Sequence, residues 1–293
     1  MAAHTVAAVV DAGTFDAAAR ALHVTPSAVS QRVKALEEVV GQRLLVRSTP
    51  ARPTPAGEAV LRHARRLALL EEDVARDLGL EGPRRPRLAV AVNADALSTW
   101  FLDAVARVAG SDAVEVELHR EDQSRTARML EDGTVTAAIT SRSDPVAGCR
   151  AVPLGSLTYR AMASPAWLER WAPDGVTPEG LARAPRVDFD RADTLQLEWL
   201  ASHGIDGAGS PRHLVPSSLD FARAVALGLG WGVVPAAHAA AHPDLVDLGG
   251  PTVRTPLSWQ HARTPSALLE ALTAAVVDEA AAALESPATA RRR

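Results

Sequence analysis

Residues 15–37 read FDAAARALHVTPSAVSQRVKALE. Phe15, Ala18, Ala19 and Leu22 fall on one face at helical spacing. His23 and Val24 make a short turn. Thr25 is placed to cap a second helix, with Pro26 at its first position, where a missing N–H costs nothing. That helix is expected to run to about Val40 with Val29, Val33 and Leu36 inward, and Gly41 suits its C-cap. Two short helices joined this tightly form a helix-turn-helix. The second begins with small polar side chains, Thr25, Ser27, Ser30 and Gln31, followed by Arg32 and Lys34. In the major groove, Gln pairs with adenine and Arg with guanine, while Ser, Thr and Lys hold phosphates. An amphipathic helical hairpin with a solvated polar face would carry the same pattern.

Outward from this stretch, residues 3–10 are helix-compatible, 44–46 suit a short strand, and 47–55 a loop. From Ala56 to about Leu80 one long helical pattern places Val60, Leu67, Leu70 and Val74 in an apolar stripe, which predicts burial against a second copy. Residues 81–86, EGPRRP, are a linker by composition. Beyond it the period changes. Strand patterns at 88–92, 114–118, 137–140, near 159–163, 186–189, 213–215, 231–234 and 257–260 alternate with helical patterns. The helices are at 94–109, 124–130, 165–171, 194–201, 219–227 and 266–284. Such alternation indicates a parallel α/β domain. The Arg291–Arg293 tail is expected to be disordered.

Charge divides the same way. Of 31 basic and 35 acidic residues, nine basic and five acidic lie in residues 1–66, net +4; the other 22 basic and 30 acidic residues give −8. A basic head on an acidic body fits a chain in which only the head meets phosphate, although drift toward arginine, with Lys34 the sole lysine, would also produce it. The composition, 47% hydrophobic and 23% charged, is that of a soluble globular protein. No apolar run reaches membrane-spanning length, and Met1–Val10 lacks the pattern of a signal peptide. One cysteine, Cys149, excludes an internal disulfide or a cysteine-based zinc cluster and fits a cytoplasmic setting.

Residues 11–57, DAGTFDAAAR through LLVRSTPARPTPAG, resemble the winged helix-turn-helix of LysR-type transcriptional regulators. The resemblance implies a wing that lays Arg47 and Arg52 along the DNA backbone or minor groove, and a linker helix that pairs two subunits. It departs in one respect: the family carries several more residues before the first helix, with leucines where Ala3 and Val6 stand. LAVAVNADALSTW (88–100), REDQSRT (120–126) and VPSSLDF (215–221) are similar to the ArgP/LysG branch of that family. The branch implies a sensor of L-lysine or L-arginine that activates a basic amino-acid exporter gene. Its implied partners are double-stranded DNA with dyad half-sites, a second copy in a homodimer or homotetramer, and RNA polymerase.

The residues themselves suit such a site. Asn93 ends a strand beside a helix that begins near Asp95, a setting that favours an α-carboxylate, with the hydroxyls of Ser98 and Thr99 close by and Trp100 as core or pocket wall. Glu121 and Asp122, at the next strand end, can hold an ammonium or guanidinium. Thr140 and Ser141 end the third strand, and Ser217 and Ser218 open another helix. Taken singly, Asn93, Asp95, Ser217 and Ser218 are ordinary helix caps, and Glu121 with Asp122 a solvated pair. His238 and His242 have metal-compatible spacing but no third ligand. Gly228–Gly232 lacks dinucleotide spacing, no GxSxG elbow occurs, and Cys149 has no evident base partner.

The expected architecture is therefore α/β overall, with an all-α winged helix-turn-helix (1–57), a linker helix (58–80), a hinge (81–87) and a two-lobed effector domain of periplasmic-binding-protein type (88–293). Lobe I takes about 88–155 and 253–293, lobe II about 156–252. No enzyme activity, cofactor, metal or membrane association is expected. The alternatives are a LysR-type regulator with another effector, or a solute-binding protein or enzyme whose helical head does not bind DNA.

Overall fold

The computed structural model describes residues 2–46, 48–78, 87–110, 114–121, 123–207, 209–264 and 266–286. Arg47, Asp122, most of the hinge and the Arg291–Arg293 tail lie outside the described residues.

Three helices, α1 (Ala2–Ala12), α2 (Phe15–Ala21) and α3 (Pro26–Val40), form the head. The local chemistry sets their ends. Thr14 Oγ1 accepts from Ala17 N, Thr25 Oγ1 accepts from Ala28 N, and Gly41 ends α3 in the left-handed region at φ 74°. Val6, Val9, Ala18, Ala19, Val29 and Val33 close the core between the helices, together with Leu44, Leu45 and Leu61. Where leucines were expected, Val6 is fully buried and α1 still spans eleven residues.

Residues 47–55 are not all loop. β1 (Leu45–Val46) and β2 (Arg52–Pro53) pair antiparallel as a wing. Glu37 pins this hairpin to α3: its Oε1 accepts from the backbone N–H groups of Leu44 and Leu45. The linker helix α4 (Pro55–Asp77) then packs so tightly that a Cβ on Gly57 would collide with the Leu44 carbonyl oxygen. Val60 joins the head's core, and among the described residues the large apolar side chains that α4 leaves exposed are Leu70 and Val74, with Leu78 just beyond its end. The Arg65 guanidinium touches both halves of the molecule, Asp11 Oδ1 at 3.0 Å and Thr134 Oγ1 at 3.4 Å.

The second half runs β3 (Arg87–Val92), α5 (Ala94–Thr99), α6 (Phe101–Ala109), β4 (Glu115–Arg120), α7 (Gln123–Glu131), β5 (Ala137–Thr140) and β6 (Cys149–Ala163). It continues α8 (Pro165–Trp171), α9 (Pro178–Leu181), β7 (Arg186–Asp188), α10 (Leu195–Ala201), β8 (Arg212–Leu214), α11 (Ser218–Ala226), β9 (Gly232–Pro235) and α12 (Ala236–Ala240). β10 (Val246–Asp247), β11 (Val253–Ala262) and α13 (Ala267–Ala283) complete it.

The sheet is mixed rather than parallel. Its order is β10-β6-β11-β5-β3-β4, with β9 also on β6. β3 is parallel to β4 and β5, whereas β11 and β6 run antiparallel to their neighbours. β6 and β11 are the two long crossovers that make one core of two lobes. The sequence pattern gives only the last third of β6, because Pro153, Gly155 and Ser156 interrupt it. The helix expected over 94–109 is broken at Trp100, whose φ of −135° ends α5 and begins α6. A continuous core from Leu88, Val90 and Phe101 to Trp231 and Trp259 fixes the strand ends on which the candidate site sits.

Candidate nucleic-acid interface and effector cleft

On α3, Ser27, Gln31 and Lys34 share the outward stripe, opposite the buried Val29 and Val33. Thr25, at the cap, is exposed as well; Ser30 and Arg32 are half-buried. At about 100° per residue, Arg32 leaves the axis roughly at a right angle to Gln31, so it flanks the stripe rather than joining it. Lys34 Nζ stands 3.6 Å from Glu38, an exposed i,i+4 pair that a phosphate could replace at small cost. Arg52, on the wing, is exposed. So are Arg20 and Arg43; only the head's net charge, not a motif, points to them.

The C-terminal ends of β4, β3 and β5 lie side by side, Val92 opposite Arg120 and Ala91 opposite Ala138. This brings Asn93, Glu121, Thr140 and Ser141 to one edge. Several of these polar groups are already used locally. Asn93 Oδ1 accepts from Ala96 N at 2.8 Å and caps α5. Ser98 and Thr99 donate back to the Asp95 carbonyl, at 3.2 and 2.6 Å. Thr140 is buried and accepts from Arg142 N, while Ser141 is half-buried. Ser217 caps α11 and donates to Asp220. Glu121 carries an ion pair with Arg125 at 3.2 Å. Trp100 is buried, and its Nε1 has no hydrogen-bond partner among the described residues.

Asp95 differs from the rest. The Tyr159 hydroxyl donates to its Oδ2 at 2.7 Å, and the Ser218 hydroxyl donates to its Oδ1. Among the described residues no lysine or arginine lies within ion-pair distance of this carboxylate. Burial first, and then the adjacent Asp95 charge, hold the Tyr159 phenol far above its ordinary range, so it stays a donor. Ser218 also meets His238 Nδ1 at 3.4 Å, and His238 Nε2 reaches the Ser98 carbonyl at 3.4 Å. His238 is thus a buried link between α12, α11 and α5; among the described residues no three His, Cys, Asp or Glu side chains group as a metal site.

Three further residues belong to the cleft although the sequence did not assign them to it. Tyr159 and His238 are two of them. The third is Arg120, whose guanidinium donates to the Pro216 carbonyl at 2.9 Å and ties the end of β4 to the segment that leads into α11. Nearby, Asp193 accepts from the N–H groups of Phe189 and Leu195; burial raises its carboxyl above the ordinary range. Its charge is felt at Tyr159.

Comparison with known proteins extends along almost the whole chain. The family described as bacterial regulatory helix-turn-helix protein, lysR family, matches residues 2–58, and the LysR substrate binding domain matches residues 81–281. The chain is 43% identical, over 287 residues, to the lysine export transcriptional regulatory protein LysG of Corynebacterium efficiens, covering 96% of this chain and 98% of that one. Among solved structures, ArgP from Mycobacterium tuberculosis superposes with a TM-score of 0.87 at 39% identity, covering 98% of both chains. Full-length LysG from Corynebacterium glutamicum, with its effector Arg bound, gives 0.80 at 36% identity, covering 97% of this chain and 98% of that one.

Proposed function

The chain belongs to the LysR family of bacterial helix-turn-helix regulators, transcription factors and not enzymes, and we propose that this member couples DNA binding to L-lysine or L-arginine and controls a basic amino-acid exporter gene. The observation that carries the effector is Asp95. Its carboxylate, at the junction of the lobes, receives two neutral donors and has no lysine or arginine beside it among the described residues. A partly buried carboxylate with satisfied hydrogen bonds and uncompensated charge is a receptor for a cation that carries N–H donors. Two relatives named for lysine export and for bound Arg support the same class.

In this reading Asp95 takes the α-ammonium and the start of α11, at Ser218, offers amide donors to the α-carboxylate. Asn93, Ser98, Thr99, Trp100, Thr140, Ser141 and Ser217 shape the cleft around them. Glu121, with Asp122, meets the cationic end. Arg125 already neutralises Glu121, but the Arg125 side chain is 68% exposed. The Glu121 side chain is only 20% exposed, so a ligand cation would take the place of Arg125 at a carboxylate the protein already holds paired, one positive charge exchanged for another. In the head, Gln31 reads base edges, with Thr25, Ser27, Ser30, Arg32 and Lys34 supporting it; Arg52 on the wing, and Arg47, supply contacts to the DNA backbone. The DNA-binding role falls to residues 1–57 and the sensing role to residues 88–293, with α4 and the residues after it as the connection. The exposed Leu70, Val74 and Leu78 favour a homodimer or homotetramer on dyad half-sites, with RNA polymerase as the downstream partner and the cytoplasm as the setting.

A gel-shift titration of the full chain on DNA from upstream of its own gene tests the assignment. A specific complex whose affinity or mobility changes with L-lysine or L-arginine is expected; a complex indifferent to both amino acids would contradict it.

A further inference from the structure

We infer that Tyr159 is a positioning residue of the effector site: its hydroxyl, opposite that of Ser218, aims the Asp95 carboxylate at the α-ammonium of the bound amino acid. This rests on the reading of Asp95 given above.

An ionised carboxylate only accepts, and its two oxygens offer about four acceptor sites. Tyr159 occupies one on Oδ2 and Ser218 one on Oδ1, which leaves one on each oxygen for an incoming ammonium. The two donors come from different places. Tyr159 lies where β6 changes partners, opposite Val253 of β11 on one side and Pro235 of β9 on the other. Ser218 is the first residue of α11 and is buried. Asp95 is therefore clamped between the crossover strand and the second lobe. Ser218, His238 and the Ser98 carbonyl close a ring from α11 through α12 back to α5, the helix that carries Asp95. A rotation of the carboxylate would take this acceptor from two buried hydroxyls at once, which favours the observed rotamer before a ligand arrives.

Tyr159 is 3% exposed. Its phenol stays protonated, so it contributes a donor and never a competing charge. A buried tyrosine needs an acceptor in any fold, and a purely structural role would use Asp95 only for that. The two roles differ in what they do to ligands with and without an α-ammonium.

The experiment is calorimetric titration of the full-length chain with L-lysine and with ε-aminocaproate, which is lysine without its α-ammonium. In the unmodified chain lysine should bind the tighter of the two. Tyr159→Phe is expected to weaken lysine about tenfold, the ordinary worth of a hydrogen bond to a charged group, and to leave ε-aminocaproate within about twofold. Ser218→Ala removes the opposite donor while keeping the backbone amide. It should show the same selective loss, and it carries the test if the tyrosine variant does not fold. Equal weakening of both ligands, or of neither, would overturn the inference. Asp95→Asn separates the premise from it. If that variant keeps the full preference for lysine, the reading of Asp95 fails. If it erases the preference while Tyr159→Phe and Ser218→Ala leave it intact, only the role of Tyr159 fails.

Discussion

At α3 the candidate DNA contacts come from one stretch, Thr25 to Lys34, and Thr25, Ser27, Gln31 and Lys34 are exposed. At Asp95 the polar atoms come from positions 64 and 123 residues apart and satisfy one another in a buried setting. The first surface is a display: Thr25 caps α3, but the exposed Ser27, Gln31 and Lys34 hold no fold together, and their targets lie outside the chain. The second is a small hydrogen-bonded assembly that exists only when both lobes are folded. The difference teaches that a change at Ser27, Gln31 or Lys34 should be read in DNA binding alone, whereas a change at Asp95 should be read in ligand binding and, through the lobe contacts, in stability as well.

The sharpest attempt to break this separation is Asp95→Asn. Truncating the charge of a buried ammonium–carboxylate pair costs about 2–5 kcal/mol, or roughly 30- to several-thousand-fold in affinity. Stabilisation of the full chain by lysine or arginine in a thermal melt should disappear, while affinity for DNA without effector stays the same. A variant that lost both together would show the two regions to be one cooperative unit.

Smaller effects are expected on the display side. Gln31→Ala should cost about 1–3 kcal/mol of specific DNA binding and little of non-specific binding. Arg32→Ala, which flanks the stripe, and Arg52→Ala, on the wing, should weaken both kinds of complex and lower the salt dependence by about one unit of slope each. Filter-binding at several salt concentrations measures all three. A loss of specificity at Arg32 as large as at Gln31 would place the reading face elsewhere on α3.

The same contrast explains what was legible in the sequence. Helix caps act over three or four residues, so Thr25, Pro26 and Gly41 announce α3, and the helix begins and ends where they put it. The apolar stripe of α4 was legible as a pattern, yet Val60 belongs to the head's own core, since periodicity cannot say which neighbour covers which end. β6 was mostly hidden because Pro153 and Gly155 sit inside a strand that tolerates them at a lobe crossover. The break at Trp100 has neither proline nor glycine to mark it. At the cleft, Asn93, Asp95 and Ser218 could be placed at strand and helix ends, but their partners could not. The one available signal for Tyr159 was that it is the chain's only tyrosine, lying in an apolar strand, and a buried hydroxyl must find an acceptor. His238 drew notice for its spacing to His242, whereas its contacts run to Ser218 and Ser98.

The central claim is that charge pairing selects the effector. Calorimetric titration of the full-length chain with L-lysine and with norleucine, which has the same α-carbon groups and no side-chain amine, tests it most directly. The account predicts that lysine binds at least about tenfold more tightly, the worth of one partly exposed charge-assisted contact; equal affinities for the two would contradict it.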